Sequence, residues 1–166
     1  MGKEIEQFIL ENSAIQADSK PVILNLQNNS DKAIFSQLIA EGKIHHIADY
    51  YNEQLKEYFQ ATNPPLVYSP DFSAKFSEYV TALEKKLPLW QHGRWAYFPW
   101  ISTVSHILED EAFQLVRTAR NKHLITKEEQ EKFYNATIGI AGLSVGNSVA
   151  LAIVLQGGAK RIRLAD

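Results

Sequence analysis

The stretch TIGIAGLSVGNSVALAI, residues 137 to 153, constrains the fold more than any other part of the chain. An apolar run leads into Gly142-Leu143-Ser144-Val145-Gly146, and a run with helical character follows it. A chain that passes from a buried strand through glycines into a helix has the form of the first half of a β-α-β unit. Two chemistries use such a turn. G-x-S-x-G between strand and helix is the nucleophile elbow of serine hydrolases, and a Gly-rich strand-to-helix turn also opens dinucleotide and ATP folds.

The hydrolase reading makes Ser144 a nucleophile and requires a histidine and an acid later in the chain, after several strands have built a sheet. Only two plausible strands precede the turn, and no histidine follows Ser144 in these 166 residues. His92-Gly93 matches the HG of an oxyanion loop, but FSEYVTALEKKL before it has helical periodicity where a strand is needed. The phosphate reading asks for small residues that let backbone approach an anion, a helix start with free N–H groups, and an acid at the end of the next strand to hold a ribose hydroxyl. Asp166 lies 24 positions beyond Gly142, near the ~20 that separate the first glycine from that acid in dinucleotide folds. The turn reads G-x-S-x-G-N in place of G-x-G-x-x-G, with Ser144 and Asn147 at positions where glycine is usual.

The surrounding pattern supports a β-α-β unit. Thr126-Lys127-Glu128-Glu129 has the form of a capping box and predicts a helix to about Phe133. Ala136 to Ala141 reads as a buried strand and Asn147 to Gln156 as a helix stopped by Gly157-Gly158. Arg161 to Ala165 is then a strand closing on Asp166. Upstream, a short amphipathic start gives way to a strand at Pro21 to Leu26. Asn28 to Asp31 then caps a helix to about Ala40, ended by Gly42. Lys43 to Ala48 reads as a second strand and Asp49 to about Gln60 as an amphipathic helix, making a small βαβα unit. Pro64-Pro65 breaks the chain, Phe72 to Leu83 is helical with core-facing aromatics, and Ile101 to Val116 has apolar spacing that predicts one or two short helices.

Composition narrows the classes. With 45% hydrophobic and 22% charged residues the chain is globular, and a formal charge of −2 provides no basic field for nucleic acid or anionic lipid. Lys160, Arg161 and Arg163 form a local cluster at a strand end. There is no cysteine, so disulfides, thiolate metal sites and a thioester on this chain are excluded. The first twenty residues lack a signal-peptide core, and no run approaches the ~18 apolar residues of a membrane span. These features predict a cytoplasmic protein that binds neither nucleic acid nor membrane.

Arg117 to Asp166, RTARNKHLITKEEQEKFYNATIGIAGLSVGNSVALAIVLQGGAKRIRLAD, resembles the start of the ThiF/MoeB/HesA family, the ubiquitin-activating type of adenylyltransferase. It looks most like a bacterial branch whose turn reads GLSVG. The likeness rests on R-x-x-R at Arg117 and Arg120, a helix containing Gln130, the Gly-rich turn, a helix ending near glycine, and a strand closing on an acid. The resemblance implies an α/β fold. A mixed α/β and helical region over 1–110 would be followed over 111–166 by the first β-α-β of a Rossmann-like nucleotide-binding domain, truncated. It implies that Gly142, Ser144, Gly146 and Asn147 surround ATP, that Asp166 holds the ribose, and that Arg117 or Arg120 stabilises phosphate charge, reaching the ATP of the partner subunit in a homodimer. ATP and Mg²⁺ would be required. The reaction would be adenylylation of a carboxylate, either the C-terminus of a carrier protein or a small acid. One closing β-α-β is not a whole nucleotide domain, because a parallel sheet has both faces covered. The reading therefore predicts an N-terminal fragment of a longer polypeptide, inactive alone. The alternatives are a binding or scaffold module on the same fold, and the serine hydrolase with Ser144.

Other candidates are weaker. Gly93 to Trp100 is rich in Trp, Tyr and Arg, which suits either a partner surface or a core with Arg94 stacked on a ring. His45 and His46 would point to opposite faces of a strand, and His92, His106 and His123 show no ligand spacing, so no metal site is predicted. Asp49, Glu53 and Glu57 at i, i+4 spacing read as a solvated helix face.

Overall fold

The structure, a computed structural model, describes residues 5–7 and 20–166. The amphipathic start lies outside the described residues except for 5–7 and Lys20. The chain is a mixed α/β protein that divides into two compact units. The first contains residues up to Tyr51 and Ala82–Ile107, and the second contains Asn52–Thr81 and Leu108–Asp166.

In the first unit, strand β1 (Val22–Leu24) leads to helix α1 (Asn29–Ala40). The Asn28 side chain accepts the N–H of Ser30 at 3.0 Å, which caps α1 where the Asn-Asn-Ser-Asp run predicts. Strand β2 (His46–Asp49) follows, three residues later than the sequence pattern suggests because Lys43 to His45 form the approach to it. Helix α2 (Tyr51–Thr62) starts in this unit and continues in the second.

The central part of the first unit differs from expectation. Strands β3 (Arg94–Phe98) and β4 (Thr103–Ile107) form an antiparallel hairpin around a 3-10 turn at Pro99–Ile101, so the expected helix beginning at Ile101 is absent. The sheet order is β1-β3-β4-β2, with β1 antiparallel to β3 and β2 parallel to β4. The two strands of the expected βαβα unit are therefore the two edges of the sheet. Ile101, Val104 and Leu108 have helical spacing, but a strand buried on both faces also shows no alternation. Ala96 and Ser105, on one face, are as buried as Trp95 and Val104 on the other. Leu24, Leu26, Trp95, Tyr97 and Val104 form the core, packed against Phe35 and Leu38 of α1 and Ile44. Phe35 meets Trp95 edge to face at 5.3 Å, and the Trp95 Nε1–H donates to the Trp90 carbonyl at 2.9 Å, satisfying the polar atom of a buried ring.

In the second unit, Phe59 of α2 packs against Phe72, Phe76 and Tyr79 of helix α3 (Phe72–Glu84), with centroids between 5.2 and 5.8 Å. Helix α4 (Asp110–Thr118), a 3-10 turn at Ala119–His123 and helix α5 (Lys127–Asn135) follow. The capping box at the start of α5 is formed. Thr126 Oγ1 accepts the Glu129 N–H at 3.2 Å, and Glu129 Oε2 accepts the Thr126 N–H at 2.7 Å. Strand β5 (Thr137–Ala141), helix α6 (Leu143–Leu155) and strand β6 (Arg161–Ala165) then make the β-α-β unit, with β5 and β6 parallel and Ala141 opposite Ala165. No helix among the described residues is long and apolar enough to cross a membrane.

Candidate functional site

The parallel pairing of β5 and β6 brings their carboxyl ends to one edge, where the turn into α6 also lies. Gly142 turns the chain at φ +83°, a left-handed conformation that a side chain disfavours, and its N–H donates to the Ala165 carbonyl at 2.8 Å. Nothing lies within 4 Å of where its Cβ would stand, so the space over the turn is open. Gly146 has a different role. A Cβ there would stand 2.7 Å from Ile140 Cγ2, so the missing side chain lets α6 press onto β5. Close helix-strand packing is the work of the third glycine in dinucleotide turns; here it falls one residue earlier than in G-x-G-x-x-G.

Asp166 completes the edge. Its Oδ1 accepts the N–H of Leu143, the first residue of α6, at 2.9 Å. Gly142 has no side chain to cap this helix start, and the acid from β6 takes that place. Oδ2 has no protein donor among the described residues, and Asp166 is exposed. Ser144 and Asn147 lie exposed on the first two turns of α6. The hydrogen bonds thus bring Gly142, Leu143 and Asp166 to one rim, with Gly146 beneath as a packing residue, while Ser144 and Asn147 follow on the first turns of the same helix. A rim with open space, helix N–H groups and one carboxylate can accept an anion and a hydroxyl-bearing group side by side.

Arg117 and Arg120 are elsewhere in the same unit. Three amide side chains hold their segment to the far end of α6. Gln114 Nε2 and Gln130 Nε2 donate to the Gly157 carbonyl at 3.1 and 3.2 Å, and Asn121 Nδ2 donates to the Gln156 carbonyl at 3.1 Å. Asn121 also donates to Gln130 Oε1 at 2.9 Å, which links the 3-10 turn to α5. Because α6 has 13 residues and a helix rises ~1.5 Å per residue, its two ends are roughly 20 Å apart. Within one chain, the Arg117–Arg120 segment and the glycine turn are tied to opposite ends of that helix.

The two arginines also differ from each other. Arg117 Nη2 donates to Gln114 Oε1, its guanidinium lies 6.0 Å from the Phe113 ring centroid, and its Nε is buried without a partner. Arg120 is exposed and has no ion pair among the described residues. Arg117 is engaged within its own helix, and Arg120 is the one available to an outside anion.

The sequence reading named Gln130 as part of the family pattern and missed Gln114 and Asn121, although amides facing a helix that ends in Gly157-Gly158 are a signal that could have marked them. They border a cleft of about 600 Å³ between α4 and α5, lined also by Leu115, Ile125 and Tyr134.

The chain is 38% identical over 104 residues to the uncharacterized protein MT1398 of Mycobacterium tuberculosis (strain CDC 1551 / Oshkosh). The match covers 59% of this chain and 14% of that protein, so the chain spans only a small part of that relative's length. No protein-family model matches the chain, and no solved structure matches it.

Proposed function

We propose that residues 137–166 form the nucleotide-gripping start of a Rossmann-like ATP-binding domain in a ThiF-like adenylyltransferase. Its substrate is a carboxylate, carried on a protein C-terminus or on a small acid. The observation that carries this reading is the meeting of Asp166 with the Gly142 turn at the carboxyl edge of two parallel strands. In such an edge the helix N-terminus receives phosphate and the acid binds a ribose hydroxyl.

The residues fit ATP. The open space over Gly142 admits a phosphate, Ser144 Oγ can donate to it, and Asp166 Oδ2 is free to accept a ribose hydroxyl. ATP supplies an α-phosphorus that the substrate carboxylate attacks, forming an acyl-phosphate bond as the bond to pyrophosphate breaks. What this chain contributes is positioning and charge neutralisation. Mg²⁺ would enter with the phosphates of ATP. Arg120, beside the Asn121 that binds the far end of α6, would serve the nucleotide of a second copy in a homodimer. The activity, substrate and partners of the whole protein belong to this proposal.

A second reading, a binding module without catalysis, draws support from Asp166 itself. Its carboxylate already caps Leu143, where an anion would otherwise bind. Calorimetric titration of ATP·Mg²⁺ into the full natural reading frame, followed by ATP–pyrophosphate exchange, separates the readings. Binding with exchange supports the adenylyltransferase and overturns the module, and absence of exchange, with or without ATP binding, overturns the adenylyltransferase in favour of the module, whose anion position Asp166 already fills.

A further inference from the structure

Strand alternation gives the β5–β6 ribbon two unlike faces. Ile138 and Ile140 of β5, with Ile162 and Leu164 of β6, turn toward α6, which rests on Ile140 at Gly146. The other face carries Thr137, Gly139 and Ala141 on β5 and Arg161, Arg163 and Ala165 on β6, all of them exposed. Nothing lies within 4 Å of where a Cβ on Gly139 would stand. Paired parallel strands are ordinarily covered on both sides, and here one side is bare.

The bare side is charged. Arg161 and Arg163 stand on it two residues apart, a spacing of about 6.6 Å along a strand, and neither has an ion pair among the described residues. Asp166, the nearest acid along the strand, is held to the Leu143 N–H on the α6 side. Arginine's planar fork is suited to carboxylates, which it can bind through two parallel hydrogen bonds.

The same chain presents the matching charge. Tyr51, Leu55 and Phe59 form the buried stripe of α2, and at about 3.6 residues per turn Glu53 and Glu57 fall on the opposite side of the helix. Both are exposed, and neither has an ion pair among the described residues. Among the described residues, α2 is the one helix with two unpaired acids at i and i+4. Their rise along the axis is about 6 Å, close to the spacing of the two arginines.

We propose that a second copy of this chain lays the Glu53–Glu57 side of its α2 along the bare face of β5–β6, and receives the first copy's α2 in return about a two-fold axis. Each acid meets one arginine, and the small residues Thr137, Gly139 and Ala141 leave room for the helix beside the guanidinium groups. The contact uses neither the glycine turn nor Arg120, so its failure would leave the nucleotide reading untouched.

The test is sedimentation velocity on the protein in its full reading frame, without ATP. A dimer is expected at low salt, with a dissociation constant that rises at least about tenfold between about 0.05 M and about 0.5 M NaCl, because exposed ion pairs are screened. Arg161→Glu with Arg163→Glu, and separately Glu53→Arg with Glu57→Arg, should each weaken the dimer at least about tenfold, with circular dichroism showing an unchanged fold. Mixed in equal amounts, the two variants should associate as tightly as wild type, because every acidic face then meets a basic one. If one variant fails to fold, the salt dependence and the other variant decide. A monomeric wild type, a dimer that salt and the substitutions leave intact, or two weakened variants that do not recover on mixing overturns the proposal.

Discussion

Asp166 and Leu143 are 23 residues apart in sequence and joined by a 2.9 Å hydrogen bond from the Leu143 N–H to the Asp166 carboxylate. The end of one parallel strand thus closes the start of the helix that follows the other, and the glycine turn lies between them. Replacing Asp166 by alanine should therefore have two effects. Loss of the cap should cost about 1 kcal/mol of stability, read by denaturant unfolding. ATP affinity of the protein in its full reading frame should fall roughly ten- to a hundredfold, matching the ~1.5–3 kcal/mol of a hydrogen bond to a charged group.

Gly146→Ala tests the packing role separately from ligand binding. The new Cβ meets Ile140 Cγ2 at 2.7 Å, and overpacking of this kind costs about 1–3 kcal/mol, offset by up to ~1 kcal/mol of helix propensity. A net loss is expected, and adding Ile140→Ala should reduce the penalty of the glycine change. Additive losses in the double variant would show that the two positions do not press on each other.

Arg120→Ala should leave stability within about 0.5 kcal/mol of wild type, as exposed substitutions do, while abolishing ATP–pyrophosphate exchange. In the proposed homodimer, mixing it with the Asp166→Ala variant should restore part of the activity, because a mixed pair would contain one site with both residues intact. If the mixture stays as inactive as its components, Arg120 does not act on the partner's nucleotide.

The two tryptophans around β3 should separate core from surface. Trp95 is 7% exposed, stacks on His106 and meets Phe35, so Trp95→Ala should cost about 3–5 kcal/mol. Trp100 is 42% exposed, and Trp100→Ala should leave a folded chain with near wild-type unfolding. Equal destabilisation by both would count against this placement.

Burial holds the Tyr79 phenol above its ordinary value, with smaller contributions from the neighbouring Tyr58 and Glu109. A raised value in the folded chain means that its stabilising contribution is complete below the ordinary value near 10.0 and is lost as pH rises through the raised one. Unfolding midpoints measured from about pH 9 to about pH 11 should fall more steeply for wild type than for Tyr79→Phe. Parallel curves would mean that Tyr79 ionises alike in both states.

The legible parts of the fold had signals carried by neighbours in sequence. Asn28 caps α1, Thr126 and Glu129 form their box, and Gly157-Gly158 ends α6, each through contacts a few residues apart. The β3–β4 hairpin was hidden because both faces of its strands are buried. Ala96 and Ser105 lie on one face and Trp95, Tyr97 and Val104 on the other, which removes the alternation that marks a strand. In the candidate site, the nearness of Asp166 to the turn follows from β-α-β spacing. The distance of the arginines from it could not be seen, because Gln114, Asn121 and Gln130 set it by binding carbonyls 27 to 43 residues away.

The amino-acid order by itself determined where most helices begin and end, that residues 137–166 form a parallel β-α-β, and that no cysteine chemistry is possible. Those outcomes depend on backbone conformation, capping and side-chain identity, which act locally. Only the tertiary structure decided that β1 and β2 are the edges of one sheet, that Trp95 is core while Trp100 is surface, and that His106 lies between two rings against Asp49. Each of these requires segments far apart in the chain to bury their surfaces together. The free energy of that burial is a property of the assembled layers rather than of any stretch within them.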